Sequence, residues 1–374
     1  MTQDKDNNKG RLRQWTIATI SLMAIALGSC SARTNASDTP VGETSNTAAV
    51  ENSEQLEVVT TFLPITQFTK AVAGDRAQIV QLIPFNVSLH DYQAKPADIQ
   101  AIAEADVLVQ NGLELEEFLE DAIENAENED LAIIDSSENI SNLLASDDGE
   151  DEEDDDEHED HDEEEDEDES ATHHDHDEEH KEAHGHGEEH EEANHHGHDH
   201  GEFDPHVWLD PKRAISQVET IRDGLIAADP EGKEIYTNNA AAFIQELQTL
   251  DTEISQSLQP YAGQTFITFH EFAGYFADSY DLNVQALVDI PEENPSPEDV
   301  RELIEIVKSE NIQALLREPQ VGEKTFSTLA KDLQIGVSTF DPIETGKADA
   351  IEPDYYLTIM RENAQNLTAA LSSQ

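Results

Sequence analysis

The chain has 374 residues, of which 37% are hydrophobic, and 84 acidic side chains against 20 basic ones give it a formal net charge of −64. This length is enough for two domains, since one domain usually takes about 100–200 residues. So acidic a chain is not expected to bind nucleic acid, because binding to phosphate backbones requires clustered lysine and arginine.

The N-terminus predicts a lipoprotein signal peptide. A basic segment ending at Arg13 precedes the apolar run Trp15–Leu27, which is short for a bilayer span and typical of a signal-peptide core. The run leads into Leu-Gly-Ser-Cys at 27–30, which resembles the bacterial lipobox, where a peptidase cuts before the cysteine and the cysteine is lipidated. We therefore expect a signal peptide over 1–29 and a lipid anchor on Cys30, the only cysteine, whose alternative role is an incidental buried or reactive thiol.

A tether and an alternation of strands and helices follow. Residues 30–53 are rich in Ser, Thr, Asn and Ala and predict a flexible tether. Strands are expected at 56–63, 77–84, 106–112 and 131–135, with one helix beginning at Pro96 and an acidic helix over 114–128. Such alternation is typical of parallel α/β layers.

A biased acidic insert interrupts this pattern from about Ser146 to Gly201. Residues 147–200 contain 30 acidic residues and a single basic one, Lys181, and 13 of the 16 histidines lie between His158 and His200. Because the insert has no apolar period, it cannot bury enough surface to offset the entropy of ordering, and we predict that 146–201 is disordered.

The second half begins with a helix from Pro211 to about Ala228 and then a longer one. One face of the longer helix carries apolar residues at steps of three and four: Tyr236, Ala240, Phe243, Leu247, Leu250, Ile254 and Leu258. About 28 unbroken residues would extend near 42 Å, long enough to traverse two domains. Strands are then expected near 265–270, 284–290, 314–317 and 336–340, with a helix start at Ser296-Pro297.

These elements predict an α/β fold of two similar lobes with parallel sheets, joined by one long rigid helix. The expected divisions are an N-terminal lobe over 54–228, a linking helix over 229–260 and a C-terminal lobe over 261–374.

Three histidines outside the insert lie where ligands bind in such folds. His90 follows a predicted strand, His206 precedes a helix, and His270 ends the strand near 265–270. Ligands bind outside the carboxyl ends of parallel strands, and three imidazoles converging in a cleft would suit tetrahedral Zn²⁺. Each histidine alone could equally be an ordinary core or surface residue.

The residues around these histidines resemble motifs of the cluster A-I solute-binding proteins, the zinc and manganese receptors of ABC importers. The resemblance extends from about Leu56 to the C-terminus, with the acidic run inserted before the second motif. It rests on HDYQAKPAD at 90–98, DPHVWLDP at 204–211, FHEFAGYF at 269–276, EENPSP at 292–297 and LREPQ at 316–320.

The resemblance implies a zinc receptor of the ZnuA-like branch. Manganese receptors resemble this pattern but place a carboxylate at the third position, which is His270 here, so a manganese receptor is the alternative within the family. The family further implies two lobes bridged by a rigid helix, a monomer without catalytic activity, and delivery of Zn²⁺ to a membrane permease driven by an ATPase. Asp341 matches a family carboxylate that completes some sites, although water can take that place and Asp341 could instead cap the turn before Pro342.

The histidines of the insert are expected to bind additional zinc weakly, since His-rich tracts suit borderline-soft divalent ions. The alternative is a merely solvated acidic loop. The candidate secondary ligands are His173, His174, His176, His180, His184, His186, His190, His195, His196, His198 and His200.

Two other functions share these features. In a zinc buffer or adhesin, function would depend on the insert and not on the cleft. In a zinc metallohydrolase, three histidines with an open position would activate water, with Glu271 as a conceivable base. The sequence favours the receptor, located in the periplasm or on the outer face of the plasma membrane and attached there only through the lipid on Cys30.

Overall fold

The computed structural model describes residues 55–90, 92–146, 202–288, 297–310, 312, 314–320 and 335–372. The predicted signal peptide, Cys30, the tether and residues 147–201 of the insert lie outside this part of the chain, and so do the eleven candidate histidines of the insert.

The N-terminal lobe is built on a parallel sheet of four strands. The strands are β1 (Leu56–Thr60), β2 (Ala77–Gln81), β3 (Val107–Gln110) and β4 (Ala132–Asp135), in the spatial order β2-β1-β3-β4. The helices around it are α1 (Leu63–Ala73), α2 (Pro96–Glu104), α3 (Glu120–Ala126) and α4 (Pro211–Ala228).

Several predicted boundaries in this lobe differ from the structure, and two of them differ for a clear local reason. The first strand stops at Thr60 rather than Leu63, because Pro64 lies in the first turn of α1, where its fixed φ favours a helix. The acidic helix does not begin at Glu114, because Gly112, Leu113 and Glu114 have φ values of 87°, 57° and 63°, in the left-handed region. The α-helix therefore starts only at Glu120, after a short 3₁₀ turn.

The C-terminal lobe repeats the topology. Its parallel strands are β5 (Thr265–His270), β6 (Asn283–Val288), β7 (Ala314–Arg317) and β8 (Gly336–Thr339), in the order β6-β5-β7-β8. Its helices include α6 (Gly274–Ser279), α7 (Pro297–Glu310) and α8 (Pro353–Leu371). The prediction of two α/β lobes with parallel sheets is confirmed.

Helix α5 (Lys233–Leu258) is the predicted long helix, and its 26 residues extend about 39 Å. Its buried residues are the seven apolar ones that the spacing predicts. It packs against α1, α4 and α8, so it contacts helices of both lobes.

Aromatic side chains pack the lobes directly against each other beneath the cleft. The rings of Phe68, on α1, and Tyr356, on α8, lie 4.9 Å apart. The hydroxyl of Tyr356 donates to the backbone oxygen of Trp208 at 2.6 Å. The lobes therefore share one core in addition to the long helix.

No helix in the described ranges combines the length and the apolar character needed to cross a membrane.

Candidate metal centre

Four side chains converge between the lobes at the carboxyl ends of the strands. His90 lies on the loop after β2, His206 on the segment between β4 and α4, His270 at the last position of β5, and Glu344 on the loop after β8. All four are buried, with exposed fractions of 6% or less. Since each lobe presents the same end of its sheet to the cleft, residues far apart in sequence meet there.

The distances within this group are those of ligands around one ion. One potential ligand atom from each residue lies within 4.8 Å of all the others. Oε1 of Glu344 lies 3.6 Å, 3.7 Å and 3.5 Å from Nε2 of His90, His206 and His270. These separations are too long for good hydrogen bonds. They are close to the edge of about 3.4 Å that a tetrahedron with Zn–N bonds of about 2.0–2.1 Å would have.

Polar atoms in the centre of the group have no hydrogen-bond partner among the described residues. Nε2 of His270 and both carboxylate oxygens of Glu344 are buried in this state. Leaving a charged group buried and unsatisfied costs several kcal/mol, roughly, unless a counter-charge offsets the loss of solvation. A cation between these atoms would supply that charge, so the donor set fits a bound metal ion.

Two of the imidazoles are oriented by carboxylates on their other ring nitrogen. Nδ1 of His206 lies 2.8 Å from Oδ1 of Asp204, which also accepts from the His206 backbone N–H at 2.9 Å. Nδ1 of His270 lies 2.6 Å from Oε1 of Glu318, whose other oxygen accepts from Gln320 at 2.6 Å. A proton held on Nδ1 by a carboxylate leaves Nε2 with its lone pair facing the centre, as in carboxylate–histidine–zinc triads.

The electrostatics of the four side chains favour a proton on His270. Burial alone would lower the pKa of His270, but the Glu318 and Glu344 carboxylates outweigh burial and raise it to about 10. Burial would raise the pKa of Glu344, but His90 and His270 hold it well below its ordinary value. At neutral pH a metal ion must therefore displace a proton from His270.

Asp341, the sequence-predicted fourth ligand, is not a member of this group, and Glu344 takes its place. Oδ1 of Asp341 accepts from the backbone N–H of Ile343 at 2.8 Å, so its side chain caps its own turn. Burial, the largest cause, and nearby carboxylates including Glu344 raise the pKa of Asp341 to about 6.

The turn after Asp341 aims Glu344 at the histidines. Ile343 has a φ of 65°, which is uncommon for a β-branched residue and costs roughly 1–3 kcal/mol. The indole N–H of Trp208 donates to the backbone oxygen of Pro342 at 2.8 Å. The turn that carries Glu344 is thus fixed to the turn that carries His206, which lies on the other lobe.

The loop of His90 is fixed through Asp98, in the first turn of α2. Oδ2 of Asp98 accepts from the Tyr92 hydroxyl at 2.6 Å and from the Lys95 backbone N–H at 2.7 Å. The same hydroxyl lies 3.3 Å from the backbone oxygen of Leu82, just after β2. These bonds close the loop over the end of the sheet.

The structure thus brings together the three predicted histidines and adds residues to which the sequence assigned no role. Asp204 and Glu318 stand inside the motifs quoted above, and a search of those motifs for carboxylates able to orient a histidine could have found them. Glu344 stands outside these motifs, and its only signal is that it follows Asp341 by three residues on the same loop.

Comparisons with known proteins agree with the fold. A family model described as "ZnuA: Zinc-uptake complex component A periplasmic" matches residues 58–370. The zinc-binding protein AdcA of Streptococcus pyogenes serotype M3 is 31% identical over 317 residues, which cover 84% of this chain and 55% of AdcA. The chain therefore spans about half the length of that relative.

Two further similarities bear on the metal. The manganese-binding lipoprotein MntA of Halalkalibacterium halodurans is 25% identical over 331 residues, covering 87% of this chain and 92% of MntA. The crystal structure of the Zn(II)-bound ZnuA-like domain of Streptococcus pneumoniae AdcA is similar with a TM-score of 0.63 and 26% identity. That similarity covers 85% of this chain and all of that one.

Proposed function

Because this chain belongs to the family of periplasmic zinc-uptake complex components A, the ZnuA family, we propose that it is a receptor that captures Zn²⁺ outside the plasma membrane. It delivers the ion to the permease of an ABC importer, which an ATPase drives. The observation that carries this proposal is the buried group of His90, His206, His270 and Glu344, whose potential ligand atoms all lie within 4.8 Å of one another.

The ligand chemistry favours zinc over manganese. Three imidazole nitrogens and one carboxylate oxygen suit the borderline-soft Zn²⁺, whereas Mn²⁺ prefers a set richer in oxygen. Manganese stays the competing ion, because a relative named as manganese-binding matches most of this chain.

The closure of the group favours a receptor over an enzyme. Catalytic zinc keeps an open position for water or substrate, whereas here four protein side chains lie close enough together to fill all four positions of a tetrahedral site. All four are buried, which leaves the ion held as cargo rather than presented to a substrate.

Membrane attachment and the insert belong to the same proposal. The lipobox-like residues 27–30 support a lipid on Cys30, and the relative MntA is named a lipoprotein. The density of histidine in 158–200 supports weak binding of additional zinc by the insert.

Calorimetric titration with Zn²⁺ tests the tight site. The full chain is compared with a variant in which Asn-Gly replaces residues 147–201, a connection suited to the antiparallel pairing of Ala145 with Phe203. We expect one tight zinc in both proteins and additional weak zinc at pH 8 only in the full chain. Loss of the tight site with the insert, or its survival in His206→Ala, would show that the cleft is not the site.

Growth of the source bacterium under zinc limitation tests delivery. A strain lacking this gene should grow poorly with a zinc chelator and recover with the wild-type gene or with the Asn-Gly variant, but not with His206→Ala. Recovery that requires the insert and tolerates His206→Ala would favour the zinc buffer or adhesin instead.

A further inference from the structure

The chain segments on either side of the insert, residues 144–146 and 202–204, pair as a short antiparallel ladder. We call these two segments the flanks of the insert. Ala145 pairs with Phe203, and the backbone N–H of Asp204 donates to the oxygen of Leu144 at 3.0 Å. The ladder ends two residues before His206. The insert is therefore joined to the chain at the segment that carries one of the four converging side chains.

The hydroxyl of Tyr275, in the C-terminal lobe, bonds both flanks of the insert. Tyr275, on α6, accepts from the backbone N–H of Leu144 at 3.2 Å and donates to the backbone oxygen of Asp204 at 2.7 Å. Its side chain is fully buried, and burial, the largest cause, raises its pKa to about 12, so the hydroxyl keeps its proton at neutral pH.

Arg213 reinforces this contact from helix α4. Its guanidinium lies 4.4 Å from the centre of the Tyr275 ring and donates to the backbone oxygen of Asn142 at 3.0 Å. It also pairs with Asp278 of α6 at 3.2 Å. The ring of Tyr275 thus lies against a cation of the N-terminal lobe while its hydroxyl bonds the flanks of the insert, which keeps the hydroxyl in place.

The start of α6 also sets the position of the Asp204 carboxylate. A Cβ atom on Gly274 would lie 2.9 Å from Oδ2 of Asp204 and 3.3 Å from the side chain of Leu144. The glycine therefore admits the carboxylate whose other oxygen bonds both the backbone and Nδ1 of His206. The backbone of Asp204 is held by Tyr275, and its side chain fits only because residue 274 has none.

We propose that Tyr275, together with Gly274, is a positioning site that locks the flanks of the insert and thereby holds Asp204 on His206. The inference rests on the proposed function, since it takes His206 as a metal ligand. It means that the insert and the metal centre are coupled through one hydroxyl, so that a displacement of the flanks alters the orientation of the His206 imidazole.

Tyr275→Phe in the full chain is the test, because it removes the hydroxyl and keeps the ring. Tyr280→Phe is the matched control: Tyr280 follows α6 directly, is also buried, and bonds Asp251 at 3.2 Å rather than the flanks. We expect Tyr275→Phe to weaken Zn²⁺ binding about tenfold, the lower end of the effect of outer-shell partners. Tyr280→Phe should leave the zinc affinity as in the wild type.

Two further measurements separate positioning from a loss of folding. Co²⁺, bound alone in place of zinc, should show an altered visible spectrum in Tyr275→Phe and in Gly274→Ala, because the ligand field follows the orientation of His206. In a double-mutant cycle, Tyr275→Phe should add little to Asp204→Asn, since both act through the same imidazole.

The outcomes distinguish this inference from the proposed function. If the wild-type chain binds no tight metal in the cleft, the proposed function fails. If the wild type binds zinc tightly but Tyr275→Phe keeps its affinity and its Co²⁺ spectrum, or if its effect adds fully to that of Asp204→Asn, the positioning role is wrong.

Discussion

Replacing Glu344 by glutamine tests whether Glu344, rather than Asp341, is the fourth metal ligand. The amide keeps the length of the side chain but removes the negative charge and the anionic oxygen that lies 3.5–3.7 Å from three imidazole nitrogens. Loss of an outer-shell partner costs about 10–100-fold in metal affinity, so loss of a ligand should cost at least about 100-fold. This corresponds to about 2.8 kcal/mol of binding free energy.

The same loss should appear as a smaller thermal shift on adding zinc. With zinc at about 1,000 times the wild-type Kd, binding stabilises the wild type by about 4.1 kcal/mol, whereas a 100-fold weaker site gains only about 1.4 kcal/mol. With an unfolding entropy of about 2.1 cal/mol/K per residue over roughly 300 folded residues, about 1 kcal/mol changes Tm by roughly 1.5–2 °C, so the shift should fall by about 4–5 °C. Each protein is also melted without metal, so that a change in Tm caused by the substitution itself can be subtracted.

Asp341→Asn is the matched control, since it makes the same acid-to-amide change three residues earlier on the same loop. Its amide oxygen can still accept from the backbone of Ile343, so the turn is kept and zinc affinity should change less than about tenfold. If Glu344→Gln binds zinc as tightly as the wild type, or if Asp341→Asn loses as much as Glu344→Gln, the assignment of the fourth ligand is wrong.

Three other predictions follow from the same geometry. His270→Glu should weaken zinc at least about tenfold and narrow its advantage over Mn²⁺, since a soft nitrogen becomes a hard oxygen; unchanged affinity and selectivity in competition titrations would refute a ligand role for His270. The pKa of His270 is raised from the ordinary value near 6.5 to about 10. The imidazole therefore keeps its second proton through neutral pH and loses it only as the pH rises through about 10. Zinc binding should therefore release a proton, and the zinc affinity should rise about tenfold per pH unit between pH 6.5 and 8. Calorimetry in buffers of different ionisation enthalpy measures the proton release, and a zinc affinity that does not change with pH would contradict this prediction. Zinc should change the radius of gyration of the Asn-Gly variant very little in small-angle scattering, because α5 packs against helices of both lobes; a clear decrease would contradict a rigid strut.

Where local pattern decides structure, the sequence was sufficient. Two strands have the bounds that the sequence predicts: β5 (Thr265–His270) and β7 (Ala314–Arg317). The buried face of α5 follows from the spacing of its apolar residues alone, since that spacing has the helical period. The three histidines converge as predicted, because parallel strands that end at one edge leave little freedom in where the following residues lie.

The fourth converging residue was decided by tertiary structure. Two acids, Asp341 and Glu344, stand three residues apart on one loop, and nothing in their spacing says which one points into the cleft. The choice depends on the left-handed backbone of Ile343 and on the bond from Trp208, 134 residues away, to the oxygen of Pro342. The partners Asp204 and Glu318 depend in the same way on contacts between segments distant in sequence, such as the approach of α6 to the flanks of the insert. A side-chain direction set by such contacts has no local signature, because it exists only once both lobes have packed around the cleft.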